Sequence, residues 1–379
     1  MLVSLSPEQQ EFAGELRRFC AEAAPASAVR RAMQTGSGLD PSLWERMSRD
    51  LGLPGLAIPE ALGGQGFGVT ELALAAAELG RALACAPFFS TAVLAGRALW
   101  HGAAPEERAE LLPGLAAGAT AALAYVEPGG GFDPAEIAMQ AEPTGAGFAV
   151  TGAKHLVVDG HTADRLVVAA RLPGTRGAAG LSLFLVEGGA PGLARRRLET
   201  FDPTRRLARL DFDRVPARVL GEPGGASAAL ARALDEATVA LCAEMMGGAQ
   251  RVLEEAVAHA RSRFQFGRAV GSFQAVKHKC ADVLIGYEAA ATATREAAWA
   301  ADSAPQQLPL LASLAKVACS EAYFRAAHEN IQIHGGVGFT WEMDAHLHFR
   351  RAKSSEILLG DAAFHRERIA RAIGLGRVA

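Results

Sequence analysis

The sequence predicts an α+β chain, mostly α, in three parts: an N-terminal helical domain over 1–120, a middle β-barrel domain over 121–222 and a C-terminal four-helix bundle over 223–379. Three observations carry this. Both flanking parts are rich in Ala, Leu and Arg at helical spacing, and these residue types favour long helices. Between them the pattern turns to short β-branched runs separated by Gly, Pro and Asp. After Gly224 come four long helical segments with short connections, the pattern of antiparallel neighbours in a bundle.

Ser6-Pro7-Glu8 opens the first helix with a capping hydroxyl, Pro at the first helical position and an acid in the first turn; Phe12, Leu16 and Phe19 mark its apolar face. Asp40-Pro41 opens a second helix through Trp44 and Met47, and helices are predicted over 69–83, 87–101 and 105–117. Gly63-Gly64-Gln65-Gly66 is a loop. Strands are predicted at 121–126, 147–151, 155–159, 165–170, 181–186 and 207–212, enough for a small closed or sandwiched sheet. The bundle helices are predicted over 225–262, 271–302, 307–333 and 343–373.

With 379 residues, half of them hydrophobic, the chain has ample material for a core. A net charge of -3 argues against nucleic acid as a partner, because phosphate binding needs a basic field. The five cysteines are scattered without a C-x-x-C pair, which fits a reduced, cytoplasmic setting. The stretch 71–99 is interrupted by Glu78, Arg81, Pro87 and Arg97, so no membrane span is expected. His346 and His348 are two apart, on different helical faces, and the histidines offer no spacing for a metal site. Arg195-Arg196-Arg197 reads as a solvated strand end and Arg205-Arg206 as a surface turn, or else a contact for a phosphate.

Two segments carry most of the functional information: Arg263-Phe264-Gln265-Phe266-Gly267 and Gln332-Ile333-His334-Gly335-Gly336-Val337-Gly338-Phe339-Thr340. Each stands where a helix ends or bends, and each joins hydrogen-bonding side chains to a Gly that lets backbone approach a ligand. Read alone, Arg263 is equally a helix C-terminal cation, and Gly335-Gly336 a helix break. Taken together, and with Trp44, Leu51-Gly52-Leu53, Ile58-Pro59-Glu60 and Gly63-Gly64-Gln65-Gly66 in order before them, they resemble the acyl-CoA dehydrogenase family from about residue 5 to about residue 370.

The resemblance implies FAD as cofactor, an acyl-CoA as substrate, an electron-transfer acceptor, and a dimer or dimer of dimers in which each FAD lies between two subunits. It assigns Arg263, Gln265 and Phe266 to one element that binds the partner's FAD, and Gln332, Gly335 and Gly336 to the other, with Phe273 against the adenine. Arg offers forked donors to a pyrophosphate, which suits that assignment.

The chain departs from the family where the flavin is used. The two positions at which members carry a base fall on Leu359 and Ala237, and neither residue takes a proton. Where the family has Thr-Glu-Pro-Gly-x-Gly-Ser-Asp, this chain has Val126-Glu127-Pro128-Gly129-Gly130-Gly131-Phe132-Asp133, without the two hydroxyls. The flavin-packing Trp is replaced by Leu156, and the hydroxyl that meets the flavin edge by Val158. Glu356, Asp361, Asp235 and Glu236 flank the vacant base positions. Glu244, in the apolar run Val239–Met246 and on the helical face of Ala237 and Leu241, is a further candidate base or else a structural acid paired with an Arg.

Three readings follow. The chain is a subunit of a heteromer, supplying ADP-side FAD contacts to a site whose base sits on a homologous partner. Alternatively it is a flavin-dependent monooxygenase, which needs no base, or a catalytically silent structural subunit.

Overall fold

A computed structural model describes residues 4–129, 131–145 and 147–375. Gly130 of the altered glycine loop, and the outermost residues of the first and last predicted domains, lie outside the described residues.

The N-terminal part is helical. α1 (Pro7–Ala23) begins with a reciprocal cap: Ser6 Oγ accepts from Gln9 N at 3.2 Å, and Gln9 Oε1 accepts from Ser6 N at 3.0 Å. α2 (Ala26–Gln34) was not expected; it has no side-chain cap to announce it. α3 (Pro41–Arg49) starts on Asp40, whose carboxylate accepts from Ser42 and Leu43 N. α4 (Val69–Arg81), a π-helical turn over Phe89–Ala95 running into α5 (Gly96–Gly102), and α6 (Pro105–Ala116) complete this part.

The middle part contains β1 (Ala121–Ala124), β2 (Gln140–Thr144), β3 (Gly147–Val158), β4 (Arg165–Arg171), β5 (Leu181–Glu187), β6 (Leu193–Arg197) and β7 (Leu207–Leu220). Pairing runs β4–β2–β3–β7–β5 and back to β4, which closes a barrel; the β2–β4 seam is a single residue pair, Gln140 with Arg171. β1 and β6 are added outside that ring. Val150, Leu166, Val168, Phe184 and Leu210 fill its interior.

The two strands expected over 147–151 and 155–159 are one strand with two irregularities in register, one at Gly152 and one between Lys154 and Val157. β2 and β6 were missed because Glu142-Pro143 and Arg195–Arg197 interrupt any apolar alternation in these mostly exposed strands.

The C-terminal part packs α7 (Ser227–Ser262), α8 (Gln274–Ser303) and α9 (Leu308–His334) with α10 (Ala345–Ile357) and α11 (Ala362–Ala372). The expected helix over 343–373 is therefore two. Leu359 (φ +63°) and Gly360 (φ +102°) turn the chain left-handed, and Asp361 then caps α11 by accepting from Phe364 N at 2.8 Å. α4 crosses α7 so closely that a Cβ on Gly247 would stand 1.8 Å from Ala77 O. One continuous core joins the N-terminal helices to the bundle, and among the described residues no helix is long and apolar enough to cross a membrane.

Candidate functional site

The two sequence motifs meet at one end of the bundle, where α7 and α9 finish side by side. His259, one turn before Arg263, and His334, two residues after Gln332, meet with ring centroids 4.1 Å apart and planes tilted by 34°. His334 Nδ1 is 2.9 Å from Asn330 O, which anchors that ring to its own helix. After α7 the chain forms a hairpin from β8 (Phe264–Gln265) and β9 (Arg268–Ala269). Its two turn residues, Phe266 (φ +54°) and Gly267 (φ +77°), both lie in the left-handed region, as a type I′ turn requires. The turn thrusts Phe266 into solvent, where it is 90% exposed. Phe273 holds the base of the hairpin, with the Arg268 guanidinium 4.0 Å above its ring and Phe266 edge-on at 6.2 Å.

This surface is open. Arg263, Gln265, Gln332, Gly335 and Gly336 are exposed, and Arg263 makes no ion pair among the described residues. A Cβ built on Gly335 or Gly336 would meet no heavy atom within 4 Å. The Arg263 guanidinium, the exposed Gln332 amide and bare backbone are the donors a pyrophosphate needs, so these residues fit the ADP portion of a dinucleotide cofactor; the Gln265 amide is turned back onto Phe264 O at 2.8 Å.

The inner site is the opposite. Leu94, Leu123, Tyr125, Val126, His155, Leu156, Val158, Leu358 and Leu359 line a cavity of about 10 Å³. That is about the room one water needs, far below a three-ring flavin. The second irregularity of β3 sets Leu156 in the left-handed region (φ +54°), which re-aims it toward this cavity. Leu359, left-handed as well, closes it from the bundle side. With these side chains where they stand, that space does not admit the isoalloxazine the resemblance implies.

Beside it lies a pocket of about 610 Å³ between Phe132–Glu136, the start of α7 and α11. Tyr125 and Leu359 line both spaces. Phe132 meets Phe364 edge-on at 6.4 Å across the pocket. Arg368 donates to Asp235 at 2.6 Å; burial pushes the Asp235 carboxyl up, and the Arg368 charge opposes that push. Ala237 is fully buried on the same helix, next to Thr238 of the pocket wall.

Glu244 lines neither space. It is held between Arg205 and Arg351, the latter at 3.0 Å. Arg351 also reaches Asp202 at 2.7 Å and Thr204 O at 2.9 Å. Arg205, expected on a surface turn, is buried in this network, because Glu244 and Ser355 supply the partners a buried guanidinium requires.

Sequence reasoning missed three buried groups around the inner site. Lys154 Nζ donates to Glu127 at 2.8 Å and Tyr125 O at 3.2 Å; burial pulls its ammonium down to about 8. Lys316 and His365 hold the turn that carries Leu359. No local signal marks them, since a lone Lys or His on a strand or helix reads as solvated. Among the described residues no group of three or more His, Cys, Asp or Glu is placed to hold a metal.

Comparison with known proteins gives one answer over the whole chain. Profiles of the acyl-CoA dehydrogenase N-terminal, middle and C-terminal domains match residues 6–119, 122–215 and 224–374. The chain is 36% identical over 356 residues to acyl-CoA dehydrogenase IpdE2 of Mycobacterium tuberculosis, covering 93% of each. Among solved structures it is similar to the Tcur3481-Tcur3483 steroid ACAD (TM-score 0.87, 34% identity, 97% of each chain). It is similar also to the ChsE4-ChsE5 complex from Mycobacterium tuberculosis (TM-score 0.88, 29% identity, 99% of each chain).

Proposed function

The chain belongs to the acyl-CoA dehydrogenase family, and we propose that within it the chain supplies the ADP-side half of an FAD site shared with a homologous subunit, which carries the flavin ring and the base. The reaction is FAD-dependent α,β-dehydrogenation of an acyl-CoA. The bound flavin supplies the hydride acceptor. This chain's part is binding: Arg263 and Gln332 hold the pyrophosphate, Gly335 and Gly336 bring backbone N–H groups to it, Gln265 donates beside it, and Phe266 and Phe273 cover the adenine.

The observation that carries the reading is the contrast between the two halves. The ADP-side residues are exposed and Arg263 makes no ion pair among the described residues, while Leu156, Val158 and Leu359 leave the ring cavity about 10 Å³. The apolar residues at the two base positions support it: Leu359 and Ala237 are buried and carry no proton acceptor. The Arg partners of Glu244 favour a structural role for that acid over a base. The ring closure also speaks against oxygen chemistry on a flavin of this chain's own. Two of the similar structures are complexes of paired subunits by name, which supports a heteromer, and a dimer of dimers is the expected assembly.

Arg263→Ala tests the reading. Losing a charge-assisted hydrogen bond costs about 1.5–3 kcal/mol, so FAD will bind the complex about 10- to 150-fold more weakly. The isolated chain will keep its melting temperature, because Arg263 is exposed and makes no ion pair. Unchanged FAD affinity in the complex would make this chain a silent scaffold instead.

A further inference from the structure

Leu359 lines the 610 Å³ pocket and the 10 Å³ cavity together, so it stands between them. Its φ of +63° lies in the left-handed region, which is costly for a residue with a Cβ. Such a conformation persists when the surroundings impose it.

Two buried donors impose it. Lys316 on α9 is wholly buried, and its Nζ donates to Ser355 O at 3.0 Å, Glu356 O at 2.9 Å and Gly360 O at 3.0 Å. No carboxylate pairs with it among the described residues; its charge is spent on the carbonyls at the end of α10, where a helix C-terminus favours a cation. His365 on α11, also wholly buried, donates from Nε2 to Leu359 O at 3.1 Å. The turn is thus gripped from two helices, on the residues either side of the Leu359 side chain and on its own carbonyl.

We propose that Lys316 and His365 are positioning residues for a plug: they hold the Ser355–Gly360 turn so that Leu359, together with Leu156, shuts the ring cavity off from the larger pocket, and this plug is what keeps a flavin ring out of the chain. The inference rests on the reading that the chain does not hold the ring itself. It adds that the walls of a ring site remain behind two side chains.

Riboflavin, the ring system without the ADP portion, is the probe. Quenching of its fluorescence is titrated with the full chain as wild type, Leu359→Gly, Lys316→Met, His365→Gln and the Lys316→Met/Leu359→Gly pair, with folding checked by circular dichroism melts. Glycine accepts φ +63°, so Leu359→Gly removes the plug without opposing the backbone. Leu156→Gly at φ +54° serves in its place if that variant does not fold. The plug account expects no saturable quenching for wild type and at least a tenfold gain for Leu359→Gly. It expects a gain for Lys316→Met or His365→Gln, and no further gain in the pair, because both changes act through one side chain. Residues with a merely structural role would lower the melting temperature and leave riboflavin binding where it was. A folded glycine variant that binds no better than wild type overturns the plug and leaves the shared-site reading standing. Tight riboflavin binding by wild type overturns both.

Discussion

Arg351→Met will lower the unfolding free energy of the full chain by about 3–5 kcal/mol, the cost of stripping one partner from a buried ionic network. Arg351 is 4% exposed and spends its guanidinium on Asp202, Thr204 and Glu244. Asp202 precedes β7 in the barrel part, Glu244 lies on α7 and Arg351 on α10, so one side chain ties the middle domain to the bundle. Without it Asp202, 1% exposed, loses its only ion pair among the described residues, whereas Glu244 keeps Arg205. Urea unfolding will show this as a lower midpoint. Adding Asp202→Asn to Arg351→Met will recover part of the loss, because a buried uncompensated carboxylate is removed. A midpoint within error of wild type would mean that the network contributes geometry and no stability.

Acidification will destabilise the chain through two buried histidines. His348 and His365 are buried neutral, and burial pulls each ring down to about 3 from an ordinary 6.5. His348 Nδ1 stands 2.8 Å from the Tyr323 hydroxyl, with Arg251, Arg351 and Arg81 opposing its charge; His365 faces Lys316 and Arg368. The unfolded chain therefore takes up protons first. Stability is full above pH 6.5 and falls as pH drops from there toward 3. At pH 5 each ring accounts for about 2 kcal/mol, so the pair accounts for about 4 kcal/mol. Asp159 acts the other way: burial pushes it up to about 6, so the folded state gains a proton near that pH and recovers about 1 kcal/mol at pH 5. Together these three groups account for a loss of about 3 kcal/mol between pH 7.5 and 5. Urea midpoints measured at the two pH values check it, and His348→Gln with His365→Gln should remove most of the difference. Equal midpoints for wild type would contradict it.

The sequence made the order of the parts legible because the hydrophobic period changes from helical to alternating near residue 121 and back near residue 224. Ser6 and Asp40 announced their helices through caps that the fold indeed uses. The break inside the last helix was hidden, although Gly360-Asp361 carries the signal: a left-handed residue followed by a capping acid. The residues proposed for the ADP side stood out in the sequence because they fall in two short motifs, each contiguous in the chain. The ring cavity was legible only as losses at Leu156, Val158 and Leu359, since closure depends on how two distant turns are held. Lys316, Lys154 and His365 were invisible: what defines them is burial against backbone carbonyls supplied by other segments, and no spacing encodes that.

The account turns on which half of the FAD this chain holds. The most direct measurement is the visible spectrum and FAD content of the purified chain, alone and after co-expression with a homologous subunit. Colourless chain and a yellow complex with about one FAD per two chains is the predicted result, as expected when one of two pseudo-symmetric sites is closed. Yellow chain on its own, with about one FAD per chain, would contradict it.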